Sequence, residues 1–173
     1  MRFLILSDSH RQPRNIKLAV ERAGKVDAIF FLGDGVGDLG YDVSYEGIPV
    51  FSVRGNCDFF SLFADNEPPE ELFLTFDEYT VMLTHGHLFG VKSSPDAAAA
   101  YAAKKGADIL LFGHTHKPFE KYLATGDTVG DTVLGKPLYV FNPGSIGTFS
   151  DGHYSFGTLT ISKQGIIFAH GKI

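Results

Sequence analysis

Seven side chains able to hold a metal ion fall in five short motifs of this 173-residue chain: Asp8 and His10, Asp34, Asn56, His85, and His114 with His116. Each motif follows an apolar run by no more than four positions. Taken singly, the motifs have ordinary readings. Asp-x-His and Gly-Asp-Gly are common turns, because Asp and Gly tolerate unusual backbone angles, and Gly-Asn is a turn signal too. His85-Gly86-His87 and His114-Thr115-His116 are stronger signals, since histidine gathers where metal, phosphate or proton chemistry is done. All five in order, each behind a buried strand, are hard to explain as turns. Carboxylate, imidazole and amide oxygen together form a mixed O/N donor set. Such a set suits Mn²⁺, Fe²⁺, Zn²⁺ or Ni²⁺ better than Ca²⁺ or a thiolate cluster.

The elements that must carry these residues are readable from hydrophobic pattern. Residues 3–6, 28–32 and 109–112 are unbroken apolar runs of strand length, as expected for strands buried on both faces, and 50–53 is a third strand-length stretch of the first sixty residues, apolar but for Ser52. Residues 71–76 and 79–83 read as a hairpin across an Asp-Glu turn. Pro13 opens a helical pattern through Ile16, Ala19, Val20 and Ala23, stopped by Gly24. Ser94-Pro95 reads as N-cap and first helical residue of an Ala-rich helix over 97–105, stopped by Gly106. Segments 119–123, 138–141, 154–161 and 165–169 read as strands. Ligands of open α/β sheets bind beyond the carboxyl ends of the strands. If the motif-bearing strands run parallel and close together, all seven side chains meet on one rim.

Composition bounds the rest. The length fits a single domain spanning 1–173, large enough to build a core without disulfides. Fifteen Lys and Arg against 20 Asp and Glu give a net charge of −5, which argues against nucleic acid or an anionic membrane as the main partner. The N-terminal apolar run of four residues is too short for a signal peptide, and no stretch reaches membrane-spanning length. A single cysteine, Cys57, fits a reducing compartment, and a cytoplasmic location is expected.

The motif order Asp8-Ser9-His10, Gly33-Asp34, Gly55-Asn56, His85, Gly113-His114-Thr115-His116 resembles that of the calcineurin-like metallophosphoesterases. Together with the length, Thr84-His85-Gly86-His87 and Asn142-Pro143-Gly144-Ser145, it looks like their small bacterial and archaeal phosphodiesterase branch. The resemblance spans residues 3 to about 147. It implies an α/β fold, a four-layer αββα sandwich of two mixed sheets flanked by helices, with two divalent ions at the carboxyl ends of the strands. Mn²⁺ is expected first, with Ni²⁺, Fe²⁺ or Zn²⁺ as alternatives. By the same resemblance Asp34 bridges the ions, Asp8, His10 and His116 complete one shell, and Asn56, His85 and His114 complete the other. Asp34, Asn56 and His85 are then the residues at the reacting group. A metal-held hydroxide would attack a small phosphate diester. A homodimer or homotetramer is also implied.

Cys57 departs from the pattern, since many members carry histidine after the asparagine to protonate the leaving group or hold the phosphate. A thiol with an ordinary pKa near 8.5 is a poor substitute for imidazolium. Cys57 remains a candidate substrate contact, or a small, partly buried residue. Arg11 is a candidate phosphate-binding cation or a plain loop arginine, and His87 either meets substrate or orients His85. Asp58 is a candidate support for Asn56 or a histidine. Phe59, Phe60, Leu62 and Phe63 read as core cover ahead of a leaving-group pocket or subunit contact. The rival reading is a binding scaffold, as for the retromer subunit that shares the fold. Retention of all seven ligand types favours the enzyme.

Overall fold

The structure, a computed structural model, describes residues 1–40, 44–59, 67–149 and 152–173. Phe60, Leu62 and Phe63 of the apolar cluster lie outside the described residues. The strands that carry the motifs divide between two mixed sheets. In the first, β1 (Arg2–Leu6), β2 (Ala28–Phe31) and β4 (Ile48–Ser52) are parallel neighbours. The short β3 (Ser44–Tyr45) pairs antiparallel with β4 at one edge, and the hairpin β12 (Ser155–Ser162) and β13 (Gly165–Lys172) adds to the other side of β1. In the second, β6 (Tyr79–Thr84), β7 (Ile109–Phe112) and β11 (Leu138–Pro143) are parallel. They are flanked antiparallel by β5 (Glu71–Phe76) and β8 (Pro118–Leu123). A two-stranded ribbon, β9 (Thr128–Val129) with β10 (Thr132–Val133), stands apart from both. The α/β class with two mixed sheets and few helices is therefore as expected.

The unbroken apolar runs arise because their strands are covered on both faces. Along β1, Phe3 and Ile5 face the second sheet and meet Val81, Leu83, Ile109 and Leu111. Leu4 and Leu6 point the other way, onto Ile16 and Ala19 of helix α1 (Pro13–Ala23). On the far face of the second sheet, Met82, Leu110 and Phe112 pack with Ala98, Ala99 and Ala102 of α2 (Asp96–Lys104). Small alanines let that helix lie close to the sheet. Pro95 itself takes the cap position of α2, and the Ser94 hydroxyl accepts the Asp96 N–H at 3.2 Å, so the helix begins one residue later than the Ser-cap reading. Among the described residues no helix is long and apolar enough to cross a membrane.

The two loops that follow β2 and β4 touch backbone to backbone. A Cβ on Gly55 would strike the Asp34 carboxyl and lie 2.5 Å from its amide nitrogen, and one on Gly33 would lie 2.5 Å from the Gly55 nitrogen. Asp58 closes this joint. Its Oδ2 accepts the N–H groups of Asp34 and Gly55, each at 2.8 Å, and its Oδ1 accepts those of Gly35 at 2.8 Å and Val36 at 3.0 Å. Asp58 thus supports backbone, not Asn56 or a histidine side chain.

Two stability predictions follow from this joint. Gly55→Ala should lower the unfolding free energy in urea by about 1–3 kcal/mol through overpacking. Gly135→Ala, where a Cβ meets nothing within 4 Å, should stay within about 0.5 kcal/mol of the parent; equal loss at both positions would refute the close approach. Asp58→Asn keeps the volume but leaves only one accepting oxygen for four donors, and should destabilise by roughly 2–4 kcal/mol in the same measurement.

Candidate metal centre

Parallel pairing makes β1, β2 and β4 open on one end of the first sheet, and β6 and β7 do the same in the second. The loops beyond these ends are laced together. Asp8 N–H donates to Gly33 O at 2.9 Å, and His10 N–H to Asp34 O at 3.1 Å. Across the sheets, His114 N–H donates to Asp8 Oδ2 at 3.1 Å, and within the second sheet Gly113 N–H donates to His85 O at 3.2 Å. The segment after β11 ties both sets. The Asn142 amide donates to Gly113 O at 2.8 Å, and the Ser145 hydroxyl to Asp8 O at 2.9 Å. The Asn142-Pro143-Gly144-Ser145 turn therefore braces the ligand loops.

Bringing two side chains of a short motif to one point needs a sharp chain reversal. Asp8, His10, Asp34, His114 and His116 all have left-handed backbone, with φ of 56°, 44°, 57°, 65° and 60°. Arg11 shares it, and only Glu46 and Asp77 join them among the described non-glycine residues. Such conformations cost of order 1 kcal/mol or more each and persist where surrounding contacts impose them.

Two clusters of candidate ligands result, and a third, overlapping group sets Cys57 with His10 and Asp34. In one, Asp8, His10 and His116 converge, with the two histidine Nε2 atoms 3.1 Å apart and Asp8 Oδ1 3.1 Å from His116 Nε2. In the other, Asp34, His85 and His114 converge, with His85 Nε2 3.0 Å from His114 Nδ1 and 3.4 Å from Asp34 Oδ2. That same Asp34 oxygen is 4.0 Å from His10 Nε2, so it faces both clusters. His85 donates from Nδ1 to Leu32 O at 2.7 Å, which leaves Nε2 as the free lone pair.

The charge states of Asp34 and His114 suit cation binding. Burial alone would raise the Asp34 pKa, but the hydrogen bond and charge of His85, with the Cys57 N–H, hold it well below the usual range. Burial would lower the pKa of His85, yet contact with Asp34 and the charge of Asp8 raise it. His114 is pushed down to about 4 by burial, then by the charges of His85 and Lys92, and is neutral at neutral pH. Asp8 Oδ1 is buried, points at ring nitrogens, and has no hydrogen-bond partner. A buried carboxylate oxygen without a donor is costly unless a cation meets it. This oxygen and the O/N donor set fit divalent transition-metal ions.

The remaining candidates spread around this centre. Asn56 is exposed, and its amide nitrogen donates to Cys57 Sγ at 3.3 Å. Cys57 is exposed rather than partly buried. Its backbone N–H donates to Asp34 Oδ1 at 2.7 Å, and its thiol is pushed up to about 11 by desolvation, then by the hydrogen bond and charge of Asp34. A thiol held so firmly protonated is neither a ready nucleophile nor a strong acid. His87 lies with its ring 5.4 Å from that of His85, and its Nε2 is 3.7 Å from Glu70 Oε2. Leu32, not His87, therefore supplies the hydrogen bond that orients His85. A cleft of about 580 Å³ opens beside Asp34 and His10, walled by Arg11, Asp38, Cys57 and Phe59. The Arg54 pair with Glu67 and Glu70, next to His87, was not signalled by any local pattern.

Comparison with known proteins agrees with this arrangement. Residues 1–164 match the calcineurin-like phosphoesterase superfamily domain. The chain is 33% identical over 147 residues to the probable metallophosphoesterase YsnB of Bacillus subtilis, covering 84% of this chain and 75% of that protein. It is 32% identical over 116 residues to the phosphodiesterase YfcE of Escherichia coli K12, covering 64% of this chain and 52% of that protein. A conserved uncharacterized protein of Streptococcus pneumoniae TIGR4, titled a predicted phosphoesterase, superposes with a TM-score of 0.75 at 25% identity, over 99% of this chain and 88% of that one. With ligand motifs, two mixed sheets and sequence match in accord along most of its length, the chain belongs to the calcineurin-like phosphoesterase superfamily.

Proposed function

We propose that the protein is a phosphodiesterase that works with two divalent transition-metal ions, Mn²⁺ first among them. The observation that carries the reading is the single Asp34 oxygen facing His10 on one side and His85 on the other. Similarity to the phosphodiesterase YfcE supports the diester as substrate. Asp8, His10 and His116 would hold one ion, and Asn56, His85 and His114 the other, with Asp34 shared. When bound, such a pair polarises a phosphoryl oxygen and makes a water acidic enough to supply hydroxide at neutral pH.

The chain's own residues do the rest. Asp34, held ionised, and neutral His114 present lone pairs without first having to lose a proton. The Leu32 carbonyl fixes the His85 ring, and Arg11 stands at the cleft as a cation for a phosphoryl oxygen. What the site lacks is a strong proton donor for the leaving oxygen at residue 57, where the thiol keeps its proton. A good leaving group needs little protonation, so aryl diesters suit this site better than alkyl monoesters. The Mn²⁺-loaded protein should hydrolyse bis(4-nitrophenyl) phosphate far faster than an alkyl phosphomonoester. Two bound ions with no hydrolysis of any diester would instead favour the binding-scaffold reading.

Asp34→Asn should weaken both ions together in a calorimetric Mn²⁺ titration, because one carboxylate serves both. Two ions at unchanged affinity would remove the bridging role.

Cys57→His should speed poor leaving groups most, by up to about 10²–10⁴-fold for a well-placed general acid, and aryl groups little. The backbone N–H that meets Asp34 survives the change, so metal content measured by elemental analysis should not alter. Loss of one ion would make Cys57 itself a ligand.

A further inference from the structure

The cleft beside the metal centre carries a feature that phosphoryl chemistry does not use. Phe59 forms part of its wall and is 86% exposed. The ring therefore covers no core, contrary to its expected role, and stands one residue beyond Asp58, which is fastened to four backbone amides. Its backbone thus lies one residue from a stretch of chain anchored to the Asp34 loop. Gly35 and Gly37 form another part of the lining. The volume, about 580 Å³, lies in the range of clefts that hold small organic ligands.

The charges of the cleft restrict what enters it. Asp38 accepts the Ser9 hydroxyl at 2.5 Å and the Arg11 N–H at 2.9 Å. Asp58 is saturated as described. Neither carboxylate has a cation beside it among the described residues, so both repel a further anionic group. Among the described lining residues Arg11 is the one Lys or Arg, and its guanidinium makes no ion pair or hydrogen bond with them.

We propose that this cleft seats an uncharged aromatic substituent of the phosphodiester, stacked on Phe59, while Arg11 meets a phosphoryl oxygen. This deepens the phosphodiesterase reading and rests on it. Phe59 would be a specificity-determining residue, since stacking on an aromatic face tolerates many ring types and gains more from a ring than from a small alkyl group.

The test uses phenylphosphonate and methylphosphonate, which share the anion and differ in the ring. Their affinities for the Mn²⁺-loaded protein are measured by calorimetry, alongside hydrolysis of bis(4-nitrophenyl) phosphate. The parent protein should bind phenylphosphonate more tightly. Phe59→Ala should weaken phenylphosphonate by about 5–150-fold, the range expected for one stacked ring, and leave methylphosphonate unchanged. Phe59→Tyr should keep the preference. Equal affinities in the parent, or equal losses for both ligands in Phe59→Ala, would overturn the proposal. A ring preference without diester hydrolysis would remove the phosphodiesterase reading and keep the aromatic site; hydrolysis without ring preference would do the reverse.

Discussion

The arrangement depends on one carboxylate. Asp58 gathers four backbone N–H groups from the loops after β2 and β4 into a single acceptor. Those loops are too close for any side chain at Gly33 or Gly55. With the Asp34 amide fixed in this way, its carboxyl can only point toward the rim. There Oδ1 takes the Cys57 N–H and Oδ2 is turned to the histidines. Hydrogen bonds to an ionised acceptor are about twice as strong as neutral ones. A charged residue that meets the site only through backbone N–H groups thereby sets the direction of its central candidate ligand.

The second support spans the sheets. Asn142 and Ser145 bond to the loops after β7 and β1, and the Asp8 carboxylate itself receives the His114 N–H. These contacts fasten the loops of Asp8 and His114, two of the five candidate ligands in left-handed backbone. The strain is concentrated where the chemistry is expected, and the dense apolar packing between the sheets offsets it.

Much of this was legible in the chain. The runs at 3–6 and 109–112 announced strands covered on both faces, because only such strands dispense with polar alternation. The candidate ligands could be read because five such motifs in order behind strands are hard to explain as turns, and because histidine gathers where metal or proton chemistry is done. Other features were not legible, for physical reasons. The strands Ser44–Tyr45, Thr128–Val129 and Thr132–Val133 are two residues each, too short for any periodicity, and exist through pairing alone. The role of Asp58 was hidden because its partners are backbone groups, three of them more than twenty residues away. The exposure of Phe59 was hidden because an apolar residue beside others reads as core whichever way it faces.

The division of the ligand clusters between two sheets has a thermodynamic consequence. Asp34 comes from the first sheet, while His85 and His114 come from the second; Asp8 and His10 come from the first, and His116 from the second. Any cation held by either cluster is therefore a cross-link between the halves of the sandwich, placed at one end of their shared interior. Ligands that bind only the folded state add RT ln(1 + [L]/Kd) to its stability, and here that increment opposes separation of the sheets directly. The resistance of the fold to unfolding and proteolysis becomes a readout of how much free metal surrounds it.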